Sequence, residues 1–313
     1  MKGILLLTLV YVIRGEAAVV VRTDEAPVVN DRPIIGVLSQ EQSFYLHGKY
    51  PEENYTSYIA SSYVKDVEAA GARVVPIMIG KDRAYYEDIL SKLNGVLFPG
   101  GATYFNQSNG YADAGEHILE IAKRLNDDGD YFPIFGTCLG FQLIIVLSSG
   151  RANENRVTCY SFENLPLDFD ESKSLEAPED IIDLLANEDV TVNAHQYPFY
   201  GVQFHPEKSS FEWKLSKNYP SSINAVKANR YFMDFFVKES RKNVHAFANA
   251  AEENDYIIYN HEPHFTGVLG SAYHQCYLFE PRGTVCFCGV LQVSSIPANG
   301  IQATEQHCTV SNR

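Results

Sequence analysis

The stretch that decides the fold is YFPIFGTCLGFQ, which runs from Tyr131 to Gln142. Its first half is a short continuous apolar run, typical of a strand that is buried on both faces of a parallel sheet. Its second half begins a helix almost without a loop, and glycines at positions 136 and 140 flank Cys138. Such a turn lifts its central residue above the carboxyl edge of the sheet, where open α/β sheets bind ligands. The motif therefore predicts a parallel α/β fold with a thiol available for chemistry.

The segments on both sides of this motif alternate between strand-like and helix-like patterns. Continuous apolar runs predict strands at Pro33–Leu38, Arg73–Ile77, Gly95–Phe98, Phe132–Phe135 and Tyr200–Phe204. Apolar residues at helical spacing predict helices over Tyr55–Ala70, Gly110–Leu125, Leu139–Leu147 and Ala225–Asn243. This order predicts a single three-layer α/β/α domain with a mostly parallel central sheet.

Cys138 has the expected surroundings of a nucleophile. The start of the following helix lowers a thiol pKa and offers backbone N–H groups to a developing oxyanion. A nucleophilic cysteine needs a base, and His205 follows the strand predicted at Tyr200–Phe204. Glu207, two residues further on, is close enough to orient the imidazole. The alternatives are that Cys138 is a buried small hydrophobe and that His205 belongs to an ordinary loop.

A diglycine provides a third element of the predicted site. Gly100 and Gly101 come directly after the strand predicted at Gly95–Phe98 and Pro99. Two glycines let the backbone approach a substrate, and one of their N–H groups can complete an oxyanion hole with the N–H of Leu139. An ordinary glycine turn is the alternative interpretation.

Composition limits the classes of partner. The chain has 313 residues and a formal net charge of −14, which argues against a nucleic-acid or anionic-membrane partner because long-range repulsion opposes both. A small anionic substrate is not excluded, since it feels the local pocket more than the whole protein. The six cysteines show no metal-ligand spacing, so no metal is expected.

The N-terminus and two sequons predict the secretory route. Lys2 precedes an apolar run, Ile4–Ile13, that is too short to span a bilayer and is followed by small residues. We interpret residues 1–18 as a cleaved signal peptide, with an N-terminal strand or a retained anchor as the alternative. Asn54 and Asn106 each begin an Asn-X-Ser/Thr glycosylation sequon. The mature protein is therefore expected in a lumenal or extracellular compartment.

Together, the cysteine turn, the His-Pro-Glu turn and the diglycine resemble the class I glutamine amidotransferase-like superfamily. Longer stretches are similar to the gamma-glutamyl hydrolase family: Arg32–Val37, Ala60–Lys65, Ala69–Pro76, Asn94–Gly101, Asp128–Pro133, Gly136–Phe141 and Tyr200–Lys208. The resemblance predicts a hydrolase domain over residues 32–280, followed by a tail at 281–313 to which no structure is assigned.

The resemblance implies an omega-peptidase that cleaves the γ-glutamyl tail of folylpoly-γ-glutamates through a thioester, without a metal or organic cofactor. It implies that Cys138 is the nucleophile, His205 the base and Glu207 the orienting acid. It also implies that His195 is a second active-site histidine that contacts substrate or assists the leaving group. A lysosomal or secreted location follows from the same resemblance, and a homodimer is compatible with it. A polyglutamate tail also needs a local cation, for which Lys208 and Arg32 are the candidates.

The sequence departs from the family pattern at three places, one of which is that the chain continues past Cys276–Glu280, where the family is expected to end. Gln142 stands where the family is expected to carry a glutamate, and a glutamine there is typical of true amidotransferases. His195 and Tyr200 are only five residues apart, whereas the family is expected to have several dozen more residues between them. These departures keep two alternatives open. The first is a glutaminase domain of an amidotransferase. The second is a non-enzymatic secreted binding protein or an inactive isoform that lacks an internal segment.

Overall fold

The computed structural model describes residues 29–42, 46, 48, 54–151, 196–214 and 216–280, together with the backbone of two short strands at 11–13 and 16–18. His195 and the predicted tail at 281–313 lie outside the described residues. So does most of the predicted signal peptide. The fold and the site below therefore concern the predicted hydrolase domain alone.

The described elements alternate as the sequence predicts. The strands are β1 (Tyr11–Ile13), β2 (Glu16–Ala18), β3 (Ile34–Leu38), β4 (Gln40–Glu41), β5 (Ser57–Ala60), β6 (Arg73–Ile77), β7 (Gly95–Phe98), β8 (Ile134–Thr137), β9 (Phe199–Val202), β10 (Pro263–His264) and β11 (Cys276–Phe279). The helices are α1 (Ser61–Ala69), α2 (Arg83–Leu90), α3 (Tyr111–Asp127), α4 (Leu139–Ser148), α5 (Lys208–Phe211), α6 (Ile223–Ser240) and α7 (Ala250–Tyr256). Short 3₁₀ turns lie at Ile258–Asn260 and Thr266–Leu269.

A five-stranded parallel sheet forms the centre of the domain, in the order β6-β3-β7-β8-β9. All residues of β3, β7 and β8 are buried, as their continuous apolar sequences predict. On one face the sheet packs against α2, α3 and α4. On the other face it packs against α1 and α6. This arrangement confirms the predicted three-layer α/β/α fold.

A second, antiparallel sheet corrects one prediction. The helix expected over Tyr55–Ala70 begins only at Ser61, because Ser57–Ala60 forms β5 instead. This strand pairs with β11 on one side and β4 on the other, in the order β10-β11-β5-β4. On the β11 side its backbone groups find partners more than 200 residues away, which no local pattern reveals. The predicted stop is confirmed, since Gly71 follows the helix with a φ of +90°.

The sheet register brings the predicted site residues to one edge. Phe98, the last residue of β7, lies opposite Gly136 of β8, and Thr137 lies opposite Val202 of β9. Because the strands are parallel, the segments that follow them meet at the same carboxyl edge. Within the described part of the chain, no helix is both long enough and apolar enough to cross a bilayer.

Candidate active site

Cys138 occupies a strained turn between β8 and α4. Its φ of +51° is unusual for a residue with a side chain, and such strain persists where the surroundings fix it. The Cys138 N–H donates to the carbonyl of Val202 at 2.7 Å, which ties the turn to β9. A Cβ on Gly140 would overlap the carbonyl oxygen of Phe98, so the helix can sit this close to β7 only with glycine there. The predicted sharp strand-to-helix turn is therefore present.

His205 lies between Cys138 and Glu207. Its Nδ1 is 2.8 Å from Oε1 of Glu207, whose side chain is completely buried. A Cβ on Gly100 would contact Cε1 of His205 at 2.8 Å and Cβ of Cys138 at 3.1 Å, so the histidine and cysteine side chains meet beside this glycine. The carboxylate fixes the proton on Nδ1 and leaves Nε2 for the thiol. The three residues that the sequence predicts together are thus brought together.

The positive charge of His205 and the negative charges of Cys138 and Glu207 stabilise each other. Burial opposes the imidazolium, but the Glu207 carboxylate and the hydrogen bonds to Cys138 and Glu207 outweigh it, so the pKa of His205 rises to about 9. Burial likewise opposes the thiolate, yet the hydrogen bond from His205 and the charges of His205 and Lys208 hold the pKa of Cys138 below its usual value. Burial also opposes the Glu207 carboxylate, but the charge and hydrogen bond of His205 and the charge of Lys208 together outweigh it, so the pKa of Glu207 is lowered as well. The arrangement favours a thiolate–imidazolium pair.

Tyr63 is a site residue that the sequence analysis missed. Its hydroxyl lies 3.2 Å from Nδ1 of His205 and accepts the N–H of Gly100 at 2.9 Å. Tyr273 donates to the carbonyl of Gly100 at 3.3 Å. In the sequence Tyr63 is simply an apolar position of helix α1. Only the tertiary fold shows that its hydroxyl reaches the site.

The diglycine loop is held rigidly against Cys138. The carbonyl of Pro99 accepts hydrogen bonds from Nε2 of Gln40 and from the hydroxyl of Tyr111, both at 2.8 Å. Since the Gly100 N–H is taken by a tyrosine hydroxyl, it is not available to a substrate. Among the described residues, the N–H groups of Gly101 and Leu139 have no hydrogen-bond partner.

The two candidate cations lie in different parts of the structure. The ammonium of Lys208 lies 5.5 Å from the ring centre of Tyr219 and 5.8 Å from that of Tyr273, and its charge acts on Cys138. Arg32 precedes β3, at the amino edge of the sheet, where its side chain is 76% exposed and lies 4.0 Å from Glu253. Of the two candidates, Arg32 is therefore not placed to hold a substrate tail, because the site lies at the opposite edge.

Two glutamine side chains extend the site beyond the predicted residues. The Nε2 of Gln142 donates to Oε1 of Gln203 at 3.1 Å, and Nε2 of Gln203 donates to the sulfur of Cys138 at 3.6 Å.

Both sequon asparagines, Asn54 and Asn106, are exposed.

Comparisons with known proteins indicate one family. A family model described as Peptidase C26 matches residues 33–159. The gamma-glutamyl hydrolase of Mus musculus is 37% identical over 80% of this chain and 90% of its own length. That of Bos taurus is 34% identical over 89% of this chain and 99% of its own length, and that of Homo sapiens is 34% identical over 80% and 90%.

Proposed function

This chain belongs to the gamma-glutamyl hydrolase family, and we propose that it hydrolyses folylpoly-γ-glutamates through a thioester on Cys138. The observation that carries the proposal is the contact between the imidazole of His205, the Cys138 side chain and the buried carboxylate of Glu207. A thiolate beside an imidazolium is the form required for attack on an amide carbonyl. The proposed substrate is the γ-linked glutamate tail of a folate.

The reaction follows from the positions of these groups. The thiolate of Cys138 attacks the γ-carbonyl carbon, and the N–H groups of Gly101 and Leu139 stabilise the resulting oxyanion. The His205 imidazolium then gives its proton to the departing amine as the C–N bond breaks, which releases glutamate and leaves a thioester. A water molecule gives a proton to the neutral imidazole and attacks the thioester carbon, after which the C–S bond breaks and the Cys138 thiolate leaves beside the imidazolium. The products are a shortened folate and the free enzyme.

Recognition of the tail requires a positive charge near the thiol, because the chain as a whole has a net charge of −14. Lys208 is the proposed partner of a tail carboxylate. His195 retains its proposed role as a substrate contact. The proposed location is the lysosome or the extracellular space, with a signal peptide at 1–18 and glycans on Asn54 and Asn106. The hydrolase domain is proposed to span residues 32–280.

The test is release of glutamate from a diglutamyl folate with a γ-linkage, followed by chromatography. We expect release by the unaltered chain and none by Cys138→Ala. Cys276→Ala is the matched control, because Cys276 is a buried thiol on β11 and should leave the rate unchanged. Circular dichroism of each variant verifies that it is folded.

One observation favours a second candidate function, because Gln142 is the residue expected in a glutaminase domain. Ammonia released from free glutamine, without glutamate release from the folate, would replace the first proposal with that one. A folded chain that binds the diglutamyl folate but performs neither reaction would be the inactive isoform, and would refute both.

A further inference from the structure

We propose that the side-chain amide of Gln203 is a catalytic hydrogen-bond donor to the Cys138 thiolate, and that Gln142 positions this amide. The inference rests on the proposed function in one respect, namely that Cys138 is the nucleophile. Its basis is the continuous line of two hydrogen bonds from Gln142 through Gln203 to the sulfur.

Both glutamines are carried by the elements that build the site. Gln203 follows the last residue of β9, so it stands at the same edge of the sheet as Cys138. Gln142 lies in the first turn of α4, where its backbone N–H donates to the carbonyl of Cys138 at 3.0 Å. The nucleophile and Gln142 therefore share one turn of backbone, and Gln203 reaches across from the neighbouring strand.

The direction of the two hydrogen bonds follows from the charge on sulfur. A thiolate can only accept hydrogen bonds, so Gln203 must present its NH₂ group to Cys138. The Oε1 of Gln203 then faces Gln142 and needs a donor at 3.1 Å. The NH₂ group of Gln142 is such a donor, whereas an ionised glutamate at this position has only acceptors.

The two side-chain amides add to the stabilisation of the Cys138 thiolate by His205. Hydrogen bonds to an ionised acceptor are stronger than those between neutral groups, so a donor on the sulfur favours the thiolate. The amide donor keeps this role at every pH, since it does not titrate. Gln142 is linked to the sulfur through Gln203 and is expected to act by positioning the Gln203 amide.

The test measures the thiolate directly and needs no substrate. The full-length chain is alkylated with iodoacetamide across a range of pH, and modification of the Cys138 peptide is followed by mass spectrometry. For Gln203→Met, which keeps the side-chain length and removes the donor, we expect the inflection of the rate to rise by about one pKa unit. This corresponds to roughly tenfold less thiolate at a given pH below the inflection.

Gln142→Met should raise the inflection by a smaller amount, and the double variant should match Gln203→Met alone, because Gln142 acts only through its partner. Gln196→Met is the matched control: it makes the same change near the amino end of β9 and should shift nothing. An unchanged inflection in Gln203→Met would overturn the proposal. So would a Gln142→Met effect that persists when Gln203 is already methionine.

The outcome is separable from that of the proposed function. If the unaltered chain releases no glutamate from the folate while the alkylation shifts appear, the substrate assignment fails and the role of the two glutamines stands. If glutamate is released but no shift appears, the substrate assignment stands and the proposed role of the two glutamines fails.

Discussion

Replacing Glu207 with glutamine tests the electrostatic basis of the site most directly. The substitution keeps the shape of the side chain and removes the charge that raises the pKa of His205. The oxygen of a glutamine amide can still accept from Nδ1, so the imidazole can keep its hydrogen bond. The change therefore isolates the contribution of the buried carboxylate.

The structure gives the size of the expected effect. The pKa of His205 is raised from 6.5 to about 9 although burial acts against the charge, and the Glu207 carboxylate is the largest of the causes that raise it. Without that charge we expect the pKa to fall by about 2 units, to about 7. At pH 8 the protonated fraction then falls from about nine-tenths to about one-tenth. Besides lowering the imidazolium fraction, the substitution makes proton transfer less effective and stabilises the thiolate less. We therefore expect kcat/KM to fall by roughly 10²- to 10⁴-fold.

The assay is the pH profile of kcat/KM for glutamate release from a γ-linked diglutamyl folate. An imidazolium is present below its pKa and lost above it, so the unaltered enzyme should lose activity above about pH 9. In Glu207→Gln this descending limb should move to about pH 7. Glu212→Gln is the control, because Glu212 is also buried but accepts from the backbone N–H of His274 instead. A descending limb that stays near 9 in Glu207→Gln would refute the reasoning.

Three further substitutions probe other parts of the site. Gly140→Ala should lower the free energy of unfolding by about 1–3 kcal/mol, as measured with urea, because its Cβ would overlap a carbonyl of β7. Tyr63→Phe should leave the Gly100 N–H unsatisfied and cost about 1–3 kcal/mol in the same urea measurement, and kcat should fall because the diglycine loop loses an anchor. Lys208→Met should raise KM for a diglutamyl folate roughly tenfold, equivalent to about 1.4 kcal/mol, measured by initial rates.

The parts of the fold that the sequence predicts are those set by local patterns. Continuous apolar runs identify the strands of the parallel sheet, and the glycines around Cys138 identify the turn. The same patterns cannot reveal β5, because all four residues of Ser57–Ala60 pair with Cys276–Phe279, far along the chain. Its apolar residues fit a helical spacing equally well. Residues close in sequence do not indicate a strand whose pairing partner lies far along the chain.

The missed and misplaced site residues have a similar explanation. Tyr63 fits the apolar face of a helix, so nothing in its spacing indicates that its hydroxyl reaches His205. Arg32 is different, since its position at the wrong edge of the sheet can be predicted from the sequence. A residue that precedes a parallel strand lies at the amino edge of the sheet, opposite the ligand-binding edge. Lys208, which follows a strand and its histidine, satisfies this rule.

The short spacing before Tyr200 raises the question of whether His205 can reach the nucleophile at all. The answer lies in the register of β9, which pairs with β8 from Ile134 opposite Phe199 to Thr137 opposite Val202. The next backbone link is the hydrogen bond from the Cys138 N–H to the Val202 carbonyl. A slip of two residues keeps the same side chains on each face but moves His205 by about 6.6 Å along the strand, out of reach of the thiol. The catalytic geometry therefore depends on this register, whatever the length of the segment that precedes β9.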